Sequence, residues 1–464
     1  MRRSLAVAGI AFTATLAATA ARAQGSGVMT HSSCATAVGA AGVARPCEDG
    51  SAILFNPGAV AMQRSVIGAG WTGISTGAAF TYDYTGEEVE RDRETASVPF
   101  GFASFRLGER FAAGVGAFAP YGLGITWPMS FEGRFVSYDT KLHNIYIQPT
   151  LAFQAAPWLF VGAGLDVVRS SIEINQRLDL STLPVRGNPF TFAALGVPSS
   201  TDFADVHLTG DGNGVTFNVG AVAEMSDRIS VGVRYMHRAE IDFEGDAVFS
   251  QVPTGLRLAA GNPLGAPAGT PLDAVLQSQF AGTGALVNGG ITTAVTLPAQ
   301  LVVGASFRPL PNLELLGDYQ WTSWEDFDQA VIDFARIESQ DQTLILDYQD
   351  THTVRLGGEL DATEALALRA GFVYNTAAEK SASVSPFLPE AERNYYSVGL
   401  GYRLPVGLGI DAAYQLIDQA DRRGRVRGRS SLDQTADQLN VGVYHADASV
   451  FNVTLSYRFG GQGR

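Results

Sequence analysis

The sequence predicts an all-β protein, a 14-stranded antiparallel transmembrane β-barrel whose lumen is closed by an N-terminal plug. Apolar and polar residues alternate along many segments, and short connections alternate with long ones. No segment after residue 23 has 18 consecutive apolar residues, which excludes a transmembrane helix. The 52 glycines, 26 phenylalanines and 15 tyrosines suit many half-buried strands joined by turns.

Residues 1–23 have the pattern of a secretory signal peptide. Arg2 and Arg3 precede an apolar stretch at residues 5–20, and Ala21-Arg22-Ala23 offers a cleavage site. Removal of these 23 of the 464 residues leaves 441, and the loss of three arginines moves the formal charge from −14 to −17. An acidic exported chain argues against nucleic acid as a partner, because phosphate neutralisation needs basic surface.

Residues 24–64 are predicted to form the plug, or hatch. Within them, residues 51–62 are apolar and contain the turn signal Asn56-Pro57-Gly58. This stretch is therefore expected to be buried without forming a strand. An ordinary structured N-terminal arm is the alternative. Cys34 and Cys47 are predicted to form a disulfide, because the chain is exported and two thiols without nearby histidines make an incomplete metal site.

Residues 65–464 are predicted to form the barrel. The fourteen candidate strands begin near Ser65, Ser97, Phe111, Lys141, Leu159, Thr209, Arg228, Thr292, Leu313, Thr351, Ala365, Tyr395, Gly409 and Ser449. Tight turns such as Gly108-Glu109-Arg110 alternate with long connections at residues 83–96, 120–140, 180–204, 249–290, 337–350, 377–394 and 418–446. An even number of antiparallel strands with this alternation is typical of outer-membrane barrels, in which lipid forces the sheet to close.

The last strand shows the expected two faces. Phe451, Val453, Leu455, Tyr457 and Phe459 alternate with polar residues, which predicts an apolar outer face and a polar lumen. The same parity places charged residues in the lumen, as a salt-bridge network or as ligand contacts: Arg234, Arg238, Arg355, Glu359, Arg369, Arg403 and Arg458. Aromatic residues at strand ends are predicted to form interfacial girdles: Tyr319, Trp321, Trp324, Tyr374, Tyr402 and Tyr457.

Several short motifs occur in an order that resembles one family. They include Asn56-Pro57, Pro120-Tyr121-Gly122-Leu123, Gly210-Asp211-Gly212, Leu297-Pro298 and Trp321-Thr322-Ser323-Trp324. With these marks, almost the whole mature chain resembles the FadL family of outer-membrane transporters for long-chain fatty acids and other hydrophobic compounds. The resemblance implies an outer-membrane location and passive uptake without a cofactor. It also implies an N-terminal hatch and an opening where the third strand is kinked.

The ligand-binding residues predicted on this basis lie in the hatch, in the third strand and in one long loop: Phe55, Asn56, Pro57, Gly114, Gly116, Phe118, Leu272, Val275, Leu276 and Phe280. Glycines and Pro120 in the third strand predict a wall defect, although an ordinary glycine-rich strand is the alternative. The four loop residues share one helical face, which predicts a capture surface or packing against residues 180–204.

Two departures from the family pattern bear on the ligand. Gly58 stands where alanine is usual, which predicts a looser turn, and no basic lumen residue aligns with those credited with holding a carboxylate. A neutral ligand such as an aromatic hydrocarbon therefore stays open beside a fatty acid, and lateral exit stays open beside periplasmic exit.

The same residues leave alternatives to transport open. A general porin for polar solutes, a surface adhesin and a barrel-borne enzyme are the alternatives to transport, but Gly73-Ile74-Ser75-Thr76-Gly77 lacks the helix that a nucleophile elbow needs. Residues 422–429 carry five arginines that suit either lipopolysaccharide phosphates or a solvated loop tip. The expected partners are hydrophobic small molecules, outer-membrane lipid and lipopolysaccharide, and the protein is expected to be a monomer.

Overall fold

A computed structural model describes residues 27–185, 190–327, 329–336, 341–429 and 431–460. In these ranges the strands are β1 Ser65–Tyr82, β2 Glu88–Glu90, β3 Glu94–Arg106, β4 Phe111–Phe118, β5 Gly122–Thr126, β6 Asp139–Ala156, β7 Leu159–Asp179, β8 Asp202–Ser226, β9 Ile229–Met236, β10 Ala239–Gln251, β11 Gly289–Leu297, β12 Gln300–Leu310, β13 Leu313–Thr322, β14 Gln329–Phe334, β15 Gln342–Ile345, β16 Thr351–Asp361, β17 Leu366–Asn375, β18 Arg393–Arg403, β19 Leu408–Gln419, β20 Arg422–Gly424 and β21 Gly442–Phe459.

The helices are short and are not part of the barrel wall. The α-helices are α1 Ser33–Ala37, α2 Ala52–Phe55, α3 Leu272–Leu276 and α4 Ala436–Leu439, and the 3₁₀ helices are Pro57–Met62, Glu132–Phe135, Leu180–Thr182, Phe192–Leu195, Gln277–Phe280 and Trp324–Asp326. In the part of the chain that the structure describes, no helix is long and apolar enough to cross a membrane.

The strands form one closed antiparallel barrel. Neighbouring wall strands pair in chain order, and β1 closes the circle by pairing with β21 from Ser65 opposite Phe459 to Tyr82 opposite Gly442. Seven of the wall positions are filled by two strands in succession: β3 with β2, β4 with β5, β9 with β10, β12 with β11, β13 with β14, β16 with β15, and β19 with β20. The wall therefore has 14 positions, and the predicted fold class is confirmed.

The alternation along the strands has the predicted register. In β21, Asn452 and Thr454 are fully buried inside, whereas Leu455 and Tyr457 are about half exposed on the outer face (52% and 49%). A one-residue slip would place the whole polar set against lipid, so the register is strongly specified.

Two predicted orientations are wrong. Trp324 is buried rather than part of an outer girdle, because the chain leaves β13 at Thr322 and turns inward through a 3₁₀ helix. Arg238 lies outside, where it pairs with Glu240 and Asp326, because the break between β9 and β10 shifts the side-chain parity.

The N-terminal segment, residues 27–64, is enclosed by the wall. Helix α1 contacts β17, β18, β19 and β21, while the 3₁₀ helix Pro57–Met62 contacts β4, β6, β7 and β8 on the other side. Ala37, Ile53 and Leu54 are completely buried. Cys34 and Cys47 form the predicted disulfide, with Cα atoms 6.1 Å apart.

Polar lumen residues of the wall hold this segment by hydrogen bonds. Asn452 Oδ1 accepts from Ser33 Oγ at 2.6 Å, and Asp318 Oδ2 accepts from the backbone N–H groups of Gly42 (2.7 Å) and Val43 (3.0 Å). Because buried polar groups need partners, these bonds suit a lumen that is filled by chain rather than by water.

Glycines of the wall allow the close approach of the segment. A Cβ at Gly357 would lie 2.5 Å from the backbone oxygen of Val38, and a Cβ at Gly371 would lie 2.2 Å from the backbone nitrogen of Gly39. At the neighbouring Gly358, the nearest atom would be a side-chain carbon of Leu315 at 3.7 Å.

These distances predict a position-specific effect of adding side chains to β16. We expect Gly357→Val to destabilise the packing of residues 33–43 by ~1–3 kcal/mol, the usual cost of overpacking. The matched variant Gly358→Val should leave that packing unchanged. Hydrogen exchange of residues 33–43 in the folded barrel measures both, and equal protection in the two variants would contradict the packing described.

Candidate functional site

Asn56 anchors the predicted turn of the N-terminal segment to the wall. Its side-chain nitrogen donates to the backbone oxygens of Val43 (2.6 Å) and Ala221 (3.0 Å), and its side-chain oxygen accepts from Gly58 N (3.1 Å). A Cβ at Gly58 would lie 2.8 Å from the Gly220 oxygen. Glycine at position 58 therefore permits contact with the wall backbone, and Asn56-Pro57-Gly58 opens a buried 3₁₀ helix.

The third wall position contains a gap. Strand β4 pairs with β3 from Gly101 opposite Ala117 to Arg106 opposite Ala112, whereas β5 pairs only with β6. Residues 95–100 of β3 therefore have no ladder partner on this side among the described residues. The interruption falls at Ala119-Pro120-Tyr121, where Pro120 has no N–H to donate.

The start of the N-terminal segment covers this gap from inside. Val28 N donates to the Pro120 oxygen at 2.8 Å, and Ala119 N donates to His31 Nε2 at 3.0 Å. The His31 ring lies between Phe100 and Phe118, with ring centroids 6.0 and 6.1 Å away. Residues 28–31 thus supply partners for backbone groups that the broken ladder leaves free.

Most predicted hatch and wall residues do lie together, but the contact is made by Ile53. A Cβ at Gly114 would lie 2.8 Å from Ile53 Cδ1, and one at Gly116 would lie 3.0 Å from Ile53 Cγ2. Phe55 and Phe118 are buried in the same apolar core, and Phe118 stacks on Tyr146. Sequence reasoning missed Ile53, because Phe55 is the larger side chain next to the turn.

A cavity of about 120 Å³ lies above the N-terminal segment. Its apolar side chains include Val28, Met29, Ile74, Trp324, Ile417 and Val450. Its polar side chains include Gln300, Gln320, Thr353, Arg355, Gln415 and Gln419. A ligand in this cavity would meet both apolar side chains and hydrogen-bonding groups, and the carboxylates of Glu390 and Asp447 also belong to the lining.

Arg355 is the cavity residue best placed to meet an anion. Its guanidinium NH2 donates to Gln320 Oε1 at 2.8 Å, and Asp318 lies opposite it in β13 without a salt bridge between them among the described residues. Arg393 also lines the cavity, but it is bonded to Gln419 and paired with Glu390 at 3.5 Å. Arg355 lies on the lumen parity that the sequence predicted for it.

Four other charged lumen residues surround a second cavity of about 330 Å³ at the short-turn end: Glu359, Arg369, Arg403 and Arg458. Arg234 lies elsewhere in the lumen, where it donates to the Leu54 oxygen of the N-terminal segment at 3.1 Å. Arg369 pairs with Asp411 at 2.6 Å, Arg403 with Glu359 at 3.3 Å, and Arg458 with Glu48 at 2.7 Å. These residues form the internal salt-bridge network that the sequence suggested, and it includes Glu48 of the N-terminal segment.

The predicted loop helix is packed against its neighbouring loop. Leu272 and Leu276 are buried with Phe192 and Val197, Val275 is partly buried, and the Phe280 ring lies 6.2 Å from Phe203. Leu272 and Leu276 therefore pack against the loop at residues 180–204, as the second of the two predicted alternatives states. A small apolar cavity of about 30 Å³ lies nearby, lined by residues such as Ile172, Ile174, Leu208, Phe243, Ile291 and Ile332.

The arginines at positions 422–429 are bonded within the loops. Arg423 pairs with Asp83, Arg427 with Glu132 at 2.8 Å, and Arg429 with Asp347 at 2.9 Å. Arg422 and Arg425 donate to backbone oxygens of residues 379–390. Through these bonds, the arginines of residues 422–429 tie several long loops together and do not form a solvated loop tip.

A protein-family model described as "Outer membrane protein transport protein (OMPP1/FadL/TodX)" matches residues 14–459. The chain belongs to this family. The family and the fold are those of outer-membrane transporters of hydrophobic compounds, not of enzymes. The protein is therefore placed in the outer membrane of a Gram-negative bacterium.

Similar proteins cover most of the chain. The 47 kDa outer membrane protein of Pasteurella multocida is 24% identical over 426 residues, which is 90% of each chain. The long-chain fatty acid transport protein of Escherichia coli O6:H1 is 25% identical over 379 residues, 78% of this chain and 80% of that protein.

Solved structures show the same fold. The crystal structure of a Pseudomonas aeruginosa FadL homologue gives a TM-score of 0.78 at 22% identity and covers 94% of this chain and all of that one. The Ralstonia pickettii toluene transporter TbuX gives 0.62 at 19% identity, covering 91% of this chain and 98% of that one.

The buried His31 predicts a pH dependence of the N-terminal segment. Burial lowers the pKa of His31 from 6.5 to about 4, so the unfolded chain binds a proton more readily than the folded one. The free energy of unfolding should therefore fall as the pH drops from about 6.5 towards 4. The variant His31→Gln keeps an acceptor without titrating, and the slope should flatten in that variant. Thermal unfolding in detergent at several pH values measures the difference, and identical slopes would contradict it.

Proposed function

We propose that the protein passively carries hydrophobic molecules with a polar, preferably anionic, end across the outer membrane. The observation that carries this proposal is the cavity with both apolar and polar lining, which is bordered by residues 27–30 of the N-terminal segment and by Tyr121 next to the gap in the wall. In this mechanism, a ligand reaches the loops, settles in the cavity and leaves when the N-terminal segment moves. The gradient and downstream consumption drive the flux, so no cofactor is needed.

The ligand class follows from the lining of the cavity. An apolar tail suits Val28, Met29 and Ile74. A carboxylate suits the guanidinium of Arg355, which donates to an amide oxygen and lies near the charge of Asp318, its cross-strand neighbour, without a salt bridge between them among the described residues. A charge-assisted hydrogen bond in such a buried place is stronger than a neutral one. The relatives named as fatty acid and toluene transporters span both an acidic and a neutral ligand. Arg355 favours the acidic one here.

We propose that the ligand first contacts the small apolar cavity beside Ile172, Ile174 and Ile291. The helix face of Leu272 and Leu276 is less suitable, because these side chains are already buried against the neighbouring loop. Branched apolar side chains around an unfilled space of about 30 Å³ can accept part of an acyl chain.

Residues 24–64 are proposed to act as a hatch, and release is proposed to be lateral. The gap beside β3 is closed by Val28 and His31 through two hydrogen bonds, which a small shift of residues 27–31 removes. The periplasmic route leads instead through the cavity lined by ion pairs, where an apolar ligand would meet charged groups. Lateral exit would let the ligand pass directly from the cavity into lipid.

A binding experiment tests the ligand class. Radiolabelled oleate and toluene are each titrated into the purified protein, into Arg355→Gln and into the control Arg403→Gln, whose arginine lies at the other cavity. We expect Arg355→Gln to weaken oleate binding roughly 10- to 100-fold, as the loss of a charged hydrogen bond implies, with toluene unaffected. If toluene binds and oleate affinity is equal in all three proteins, the ligand is neutral.

The porin alternative makes a different prediction for polar solutes. A lumen filled by residues 27–64 should exclude small sugars, so proteoliposomes should not swell in arabinose. Rapid swelling at a rate comparable with an open porin would overturn the transport mechanism proposed here.

A further inference from the structure

The loop at residues 376–392, between β17 and β18, folds into the mouth of the barrel. Ala378, Val384, Leu388 and Ala391 are at most 3% exposed, whereas Tyr84 in another long loop is 90% exposed. Phe387 and Leu388 belong to the same apolar core as Ile53 of the N-terminal segment. Glu390 of this loop also lines the lumen cavity, which residues 27–30 of the N-terminal segment line as well.

Side chains from surrounding elements hold this loop by its backbone oxygens. Trp127 Nε1 donates to the Pro386 oxygen at 3.0 Å, and Gln419 Nε2 donates to the Pro389 oxygen at 2.9 Å. Only a few backbone bonds join the loop to its neighbours among the described residues, such as Gln349 N to the Ala378 oxygen at 2.8 Å. Such a loop can move away from the mouth of the barrel without breaking the backbone hydrogen bonds between wall strands.

The arginine-rich stretch supplies the remaining bonds. Arg422 donates to the backbone oxygen of Glu379, and Arg425 Nε donates to that of Ala382 at 3.2 Å. Arg429 reaches Ser383 Oγ at 3.4 Å. Three of the five arginines thus hold residues 376–392, which accounts for a charged run that transport itself does not use.

The buried carboxyl of Glu379 fits the closed position. Tyr348 Oη donates to it at 3.3 Å, and Glu390 N donates to it at 2.9 Å. Burial raises the pKa of Glu379 to about 8, so at neutral pH the side chain is mostly uncharged despite the nearby Glu390, Arg422 and Arg425. Closure of the loop therefore does not require burying an unpaired charge.

We propose that residues 376–392 form a lid, clamped by arginines of the stretch 422–429, which must open before a ligand reaches the lumen cavity. The inference rests on the proposed function, because it concerns the access of that ligand. The lid and the N-terminal segment then close the same cavity from opposite ends.

A disulfide lock tests the lid. Tyr348 and Glu379 are directly opposed in an antiparallel bridge, and the bond from Gln349 N to the Ala378 oxygen marks the pair as a non-hydrogen-bonded one. Such pairs have Cα atoms about 4.5 Å apart, within reach of a disulfide. In the double variant Tyr348→Cys/Glu379→Cys, the association rate of radiolabelled oleate or toluene is measured before and after reduction.

We expect association at least 10-fold slower in the oxidised double variant than in the same protein after reduction, while reduction leaves the wild-type rate unchanged. Equal rates in a fully cross-linked protein would overturn the lid, because the ligand would then enter another way. If the wild type binds neither ligand, the proposed function fails, and that result is distinct from failure of the lid.

A second pair of variants tests the lid if the two introduced cysteines do not form a disulfide. Arg422→Gln removes a clamp, whereas the adjacent Arg423→Gln removes only the surface pair with Asp83. We expect several-fold faster association and faster hydrogen exchange of residues 378–391 in Arg422→Gln, with Arg423→Gln equal to wild type. If the introduced cysteines form no disulfide and the ligand associates with Arg422→Gln at the wild-type rate, the lid is contradicted.

Discussion

The fold depends on one constraint: a sheet in lipid must find all its backbone hydrogen bonds within the protein. Pairing of β1 with β21 removes the last free edge, and the barrel closes. The wall breaks this rule at β5, which lacks β3 as a partner. There, Val28 N and His31 Nε2 bond to the backbone at Pro120 and Ala119. The position of the N-terminal segment and the integrity of the wall are therefore linked.

The lumen is filled by the chain itself, and the polar wall makes this filling specific. Asn452 and Asp318 receive hydrogen bonds from Ser33, Gly42 and Val43, so these two lumen side chains bond directly to the segment they hold. Wall glycines such as Gly357 admit the backbone at close range. An apolar lumen would fix the position of such a segment less narrowly, because hydrophobic contact has no direction.

Charge is distributed unevenly along the lumen. At the short-turn end, arginines and carboxylates neutralise one another around a polar cavity, as Arg369 and Asp411 do. Near the middle, Arg355 has an amide as its partner instead of a carboxylate. The arginines at the short-turn end are therefore held by salt bridges, whereas Arg355 is held by an amide with Asp318 as its cross-strand neighbour.

Sequence alone determined the strand number, the register and the disulfide. Period-two alternation and connection length are local, and in β21 they specify which side chains face lipid. Only the tertiary structure decided that Ile53, and not Phe55, meets Gly114 and Gly116, and that residues 376–392 turn inward. It also decided the reversed orientations of Trp324 and Arg238. These outcomes depend on which distant groups a side chain meets after the barrel closes, and no local pattern in the chain encodes such a meeting.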